Sequence, residues 1–150
     1  MIQFGTILKE ACVAVGVEAR DKGDALEAVT DLLVAGGGGS DAPRLLSEIL
    51  AREALATTGI GEGVAVPHAL SEHIHDTSMA VARLSKPIDF DAVDGEPVDL
   101  LFLLIGPKGT SVHLQLLSKL ARLLHDPEFR QAARAVPDAK SLARLLYSRD

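Results

Sequence analysis

His68 closes a Gly-rich run, Thr58-Gly59-Ile60-Gly61-Glu62-Gly63-Val64-Ala65-Val66-Pro67-His68, and is the residue of this chain best placed to do chemistry. Pro67 has no N–H and a fixed φ, and it pushes Val66 toward extended geometry. The ladder is therefore expected to stop at Pro67 and leave His68 accessible at a strand end. In an extended run Gly59, Gly61, Gly63 and Ala65 share one side, and Ile60, Val64 and Val66 share the other. The small side lets a backbone or a bulky partner come close. The apolar side, if exposed, offers a shallow rim for protein partners. A rigid, accessible imidazole that titrates near neutrality suits the carriage of a phosphoryl group.

Arg52 precedes this run, in the C-terminal part of an expected helix. It reads either as a solvated helix-end arginine or as a guanidinium that meets phosphate oxygens bidentately, and composition does not choose between them. His113 lies two positions after Ser111, in the first turn of another expected helix and in phase with Leu117, Leu120 and Leu124. A helix N-terminus disfavours imidazolium and favours anions. His113 thus reads either as a capped structural histidine bordering the core or as a neutral imidazole beside an anion site. His73 and His75 sit in a polar loop, Ser71 to Asp76, and read as solvated. A metal site of His68, His73 and His75 is conceivable, but the spacing matches no standard motif. His125 reads as a last-turn helix residue, where positive charge is favoured.

Other chemistries lack their parts. There is no G-x-S-x-G elbow for a serine hydrolase. Gly59, Gly61 and Gly63 lead into a proline and a histidine, not into the helix of a dinucleotide fold. Asp89, Asp91 and Asp94 lack the downstream glutamate of a calcium loop. Gly36 to Gly39, followed by Ser40, lack the Lys-Ser/Thr ending of a phosphate loop and read as a flexible connector. No metal or cofactor is expected.

The elements that must position these residues follow from the pattern of a 150-residue chain, the usual length of one domain, taken here as residues 1–150. Val13, Val15 and Val17 alternate as a short strand. Leu26, Val29, Leu32 and Leu33 mark a helix near 22 to 35. A helix near 43 to 56 follows the Asp41–Pro43 start signal, with Leu45, Leu46, Ile49, Leu50 and Leu55 on its apolar face. Met79 to Leu84 reads as a strand, and Val98 to Ile105 as a fully buried one. Pro87, Pro97 and Asp94-Gly95 mark the turns between them. A long helix begins near Ser111, with Leu114, Leu117, Ala121 and Leu124 on one face. Asp126-Pro127 is a cap followed by a first helical position. A last helix runs from about Asp138 to Tyr147. Alternating strands and helices give an α/β class, a mixed β-sheet flanked by helices on both faces, in a single domain.

Aromatic residues make up 3% of the chain and Trp is absent, so the core must be aliphatic and base stacking on single-stranded nucleic acid is disfavoured. The net charge of −6 and the lack of a basic stripe argue against nucleic acid or an anionic membrane as partner. The single cysteine, Cys12, excludes an internal disulfide and fits a reducing, cytoplasmic compartment. The first residues lack a signal-peptide pattern. The apolar run from Val98 to Ile105 is too short to span a bilayer, so no direct membrane insertion is expected.

The stretch from Arg52-Glu53 through Thr58-Gly59-Ile60-Gly61-Glu62-Gly63-Val64-Ala65-Val66-Pro67-His68 resembles the signature of enzyme IIA of the bacterial sugar phosphotransferase system (PTS), fructose/mannitol type, shared by its nitrogen-regulatory relatives. Pro87-Ile88-Asp89-Phe90-Asp91-Ala92, Asp94-Gly95-Glu96-Pro97-Val98-Asp99-Leu100-Leu101-Phe102 and the segment from His113 to Ala121 are similar too. The resemblance implies a mixed sheet with helices on both faces. It implies His68 as the phosphoryl acceptor, through its tele nitrogen, from the histidine-containing phosphocarrier protein, with delivery to an enzyme IIB component and its IIC permease. It implies His113 as a second histidine that donates a hydrogen bond to the phosphoryl group, and Arg52 as a residue that steadies the site.

The wording of the 94–99 and 113–124 segments is similar to the fructose branch, which makes sugar uptake the leading expectation. The alternative is a nitrogen-related regulatory protein whose phosphorylation state changes its binding to other proteins. A third possibility is a small-ligand or metal-binding module that has lost phosphotransfer; retention of His68, His113 and Arg52 argues against it.

Overall fold

The computed structural model describes residues 2–150. Its spine is β6 (Val98–Gly106), in which Leu100 to Ile105 are all fully buried. Successive strand residues face opposite sides, so a run buried at every position is covered on both faces. On one flank β6 pairs antiparallel with β5 (Ser78–Ile88), and β5 pairs parallel with β1 (Leu8–Val17). On the other flank lie β3 (Val64–Ala65) and β4 (His68–Leu70), both parallel to β6, with β2 (Gly59–Gly61) antiparallel to β3 at the edge. The sheet is mixed and the class is α/β, as the alternation of elements predicts.

Six helices complete the fold: α1 (Phe4–Ile7), α2 (Lys22–Ala35), α3 (Ala42–Glu53), α4 (Val112–Leu124), α5 (Pro127–Ala135) and α6 (Ala139–Tyr147). Asp21, Asp41, Asp126 and Asp138 each accept a backbone N–H of the first turn that follows, so four of the six start on an aspartate cap. α2 occupies the predicted 22–35 and buries Leu26, Val29 and Leu33. The Asp126-Pro127 start and the last helix also fall where the sequence puts them. Asp150 ties the two ends of the chain together, accepting from the Phe4 and Gly5 amides and from Lys119 Nζ.

Several expectations change. β1 begins at Leu8, five residues before the Val13 start, because Leu8 and Cys12 pack inward although the residues between them are polar or small. α3 stops at Glu53, which leaves Leu55 exposed; Leu50 also faces solvent, and the buried stripe is Leu45, Ile49 and Glu53. β5 runs through Pro87 to Ile88, since the register with β6 is irregular between Arg83 and Ile88 and no ladder N–H is needed there. In α4 the buried stripe is His113, Leu116, Leu120 and Leu124, and Leu114 is 67% exposed. The helix carries leucines on several faces, so its apolar spacing fits two neighbouring stripes.

Within the glycine run 36–39, Gly36, Gly38 and Gly39 lie close against core side chains. The Cys12 thiol donates to the Leu33 carbonyl at 3.6 Å, and burial pushes its pKa up, which makes it an inert core residue. Gly36 lies directly against it: a Cβ there would collide with Cys12 Sγ and the Ala11 carbonyl. Gly36→Ala is therefore expected to destabilise the fold by about 1–3 kcal/mol through overpacking, read as a lower midpoint in urea unfolding. Gly23→Ala, where the added methyl meets only Asp21 Oδ1 at an ordinary 3.5 Å, serves as a control without overpacking.

Candidate functional site

Pro67 does not end the ladder. Val64 and Ala65 pair with Leu100 and Leu101, and His68, Ala69 and Leu70 pair with Leu104, Ile105 and Gly106 in the same offset. The Leu104 amide donates to the Pro67 carbonyl at 3.0 Å, so the segment crosses the proline using its acceptor only. His68 thus opens β4 and sits half-buried within the sheet margin. Its Nδ1 lies 2.8 Å from the Val66 carbonyl oxygen. A carbonyl only accepts, so Nδ1 carries the proton and Nε2 keeps a free lone pair in the neutral ring.

His113 enters from the first turn of α4 and is buried. Gly106, the last residue of β6, makes room for it: a Cβ there would lie 3.1 Å from His113 Nδ1 and 3.2 Å from Thr77 Oγ1. The two imidazole centroids are 5.6 Å apart, with the rings tilted by 51°. The His113 pKa is lowered, first by burial and then by the nearby His68, so it is neutral at neutral pH. The direction agrees with the helix-terminus expectation, although burial is the main cause. His113 Nδ1 is buried with no hydrogen-bond partner. An unpartnered acceptor is a smaller penalty than an unpartnered N–H, which puts the proton on Nε2. The two rings therefore hold opposite tautomers, an open lone pair on one and an N–H on the other.

Arg52 joins His68 in a cleft of about 250 Å³ lined also by Thr57, Thr58, Ile60, Val66, Leu117 and Ala121. Its Nη1 donates to the Ala56 carbonyl at 3.0 Å, which folds the guanidinium back over the end of α3. Among the described residues no carboxylate lies within ion-pair distance of it. The three residues singled out from the sequence are thus gathered from α3, β4 and α4.

The expected apolar rim is narrower than the alternation suggests. Val64 and Val66 are buried, and only Ile60 is open, at 47% exposure. Leu117 and Ala121 line the cleft instead, so part of the α4 face expected from the leucine spacing borders the site. His73 and His75 are exposed, His125 caps α4, and the described residues hold no group of three or more possible metal ligands. Sequence reasoning missed Thr58, which lines the cleft, and Glu53, which holds the Thr58 amide from behind. The signal was available for Glu53, which continues the Leu45–Ile49 spacing into the core.

A model of the family described as phosphoenolpyruvate-dependent sugar phosphotransferase system, EIIA 2, matches residues 6–149. The nitrogen regulatory protein of Pseudomonas aeruginosa is 36% identical over 147 residues, 97% of this chain and 96% of that one. The PTS system fructose-specific EIIA component of Haloferax volcanii is 40% identical over 111 residues, 73% of this chain and 72% of that one. Among solved structures, the nitrogen regulatory protein IIA-Ntr from Neisseria meningitidis has a TM-score of 0.89 at 32% identity, covering 95% of this chain and 98% of that one.

The neutral His113 makes stability depend on pH. Its folded pKa is lowered, so the unfolded chain binds more protons below the ordinary imidazole value of about 6.5. Stability is then complete above that value and declines as pH falls toward the lowered one. His113→Phe should flatten this part of the profile, measured by urea unfolding between pH 7.5 and pH 5.

Proposed function

This chain belongs to the EIIA 2 family of the phosphoenolpyruvate-dependent sugar phosphotransferase system, and within it we propose a phosphocarrier of the nitrogen-regulatory kind. In this reading His68 accepts a phosphoryl group from a histidine-containing phosphocarrier protein, and its phosphorylation state controls binding to other proteins. The sequence alone leaned toward fructose uptake. The emphasis shifts because the nitrogen regulatory proteins of Pseudomonas and Neisseria match 97% and 95% of this chain, whereas the fructose-specific match spans 73% of it. None of the described helices is long and apolar enough to cross a membrane, which suits a carrier that works in the cytoplasm.

The single observation that carries the proposal is the pair of imidazoles 5.6 Å apart, with His68 Nδ1 held by the Val66 carbonyl and His113 Nδ1 buried without a partner. The His68 Nε2 lone pair attacks the donor's phosphorus. As the new N–P bond forms, the donor's N–P bond breaks and its nitrogen takes back the bonding pair. The His68 ring becomes electron-poor, and its Nδ1–H bond to the Val66 carbonyl strengthens in response. His113 offers its Nε2–H to a phosphoryl oxygen without first losing a proton, because burial keeps it neutral. Arg52, with no carboxylate partner, can swing from the Ala56 carbonyl onto the dianion. Such transfer needs positioning and charge stabilisation more than covalent help from the protein.

A second reading, delivery of the phosphate to a fructose-type enzyme IIB, is kept by the 40% identity to the Haloferax component. Phosphoenolpyruvate, enzyme I and a phosphocarrier protein should add one acid-labile phosphate to the wild type and none to His68→Gln, read by intact mass. Arg52→Ala should accept the group at least about tenfold more slowly. Rapid loss of the label to an added fructose-type IIB would favour the second reading, and a stable label the first. An unlabelled, folded wild type with a competent donor would end both.

A further inference from the structure

We propose that Glu53 is a positioning residue for His68, acting through an unbroken chain of hydrogen bonds; this rests on the reading of His68 as the phosphoryl acceptor. Glu53 is a buried carboxylate at the last position of α3. Its Oε2 accepts the Thr58 amide at 2.7 Å, and its Oε1 accepts the Thr58 hydroxyl. The Thr58 carbonyl accepts the Val66 amide at 2.9 Å. The Val66 carbonyl accepts His68 Nδ1–H at 2.8 Å. Every link is a direct contact, and both middle residues are buried, so water does not compete for them.

The chain fixes two things that a phosphoryl acceptor requires. It sets the ring orientation, because the residue that carries the acceptor carbonyl, Val66, is tied to Thr58 through its amide. It also sets the tautomer: a free imidazole prefers its proton on Nε2, and only a fixed acceptor at Nδ1 reverses that preference. Thr58 stands just before β2, which begins at Gly59, and its amide donates to the carboxylate and not to a strand carbonyl. The carboxylate therefore supplies the anchor that a ladder would supply elsewhere. Lys22 Nζ, 3.0 Å from Oε2 and over the face of Phe90, neutralises the carboxylate and holds it in place. Since Arg52 and Glu53 are neighbours on α3, one helix end sends its cation to the cleft and its anion to the support beneath.

Imidazole 15N spectra of the folded protein and the rate of phosphate acceptance together test this. Glu53→Gln is expected to convert the His68 signals from the Nδ1–H tautomer to a mixture and to slow acceptance about tenfold. Thr58→Val removes the hydroxyl link and keeps the amide link, so it should give a smaller change of the same kind, while Thr58→Ser should restore wild-type behaviour. It also keeps the test valid if Glu53→Gln does not fold. An unchanged His68 tautomer in folded Glu53→Gln and Thr58→Val would overturn the proposal, whatever their rates. Tautomer loss in the variants of a wild type that takes no phosphate would support the positioning chain and overturn the acceptor reading instead.

Discussion

The pairing of residues 64–70 with β6 sets where both imidazoles can stand. His68 lies opposite Leu104, and two positions further along β6 the missing side chain of Gly106 admits His113. A slip of one residue would turn His68 to the other face of the sheet and place Leu103 or Ile105 beside it. The site thus depends on an aliphatic strand that contributes no functional side chain.

Charge is arranged against the overall balance. The protein carries a net −6, yet the cleft holds His68 and an arginine free of carboxylates, with the neutral His113 ring 5.6 Å from that of His68. Nearby acids are committed elsewhere: Glu53 to Thr58 and Lys22, Asp99 to Arg134, and Asp94 to the Glu62 and Glu96 amides. Acids so bound do not compete for Arg52, and a dianion entering the cleft meets it first.

Much of this was legible in the sequence where two signals agreed. The start of α5 carries both an aspartate cap and a proline at the first helical position, and it falls where expected. His68, Arg52 and His113 were marked by residue type and by their place relative to Gly, Pro and helix starts. Signals that stood alone misled. A lone proline suggested that a ladder stops, but a proline keeps its carbonyl, and here that carbonyl is what the ladder uses. Four glycines suggested slack, but Gly36 is small because a cysteine and a backbone lie against it. In α4, period alone could not choose between stripes, because the partner of the second stripe is a cleft and not a core. Glu53 escaped notice because a carboxylate is seldom placed in the core, and its reason for being there, the Thr58 backbone, lies across a turn that no periodicity describes.

The use of the Pro67 carbonyl has a consequence for motion. The amides around His68 are tied to separate neighbours: Val66 to Thr58, Leu104 to Pro67, and Ser71 to Gly106. Exposing all three requires β2, β4 and β6 to part, so together they are expected to exchange slowly with solvent deuterium. Any fast adjustment during encounter with a partner falls to side chains at the cleft margin, Arg52 and Ile60 foremost, over a platform that stays still.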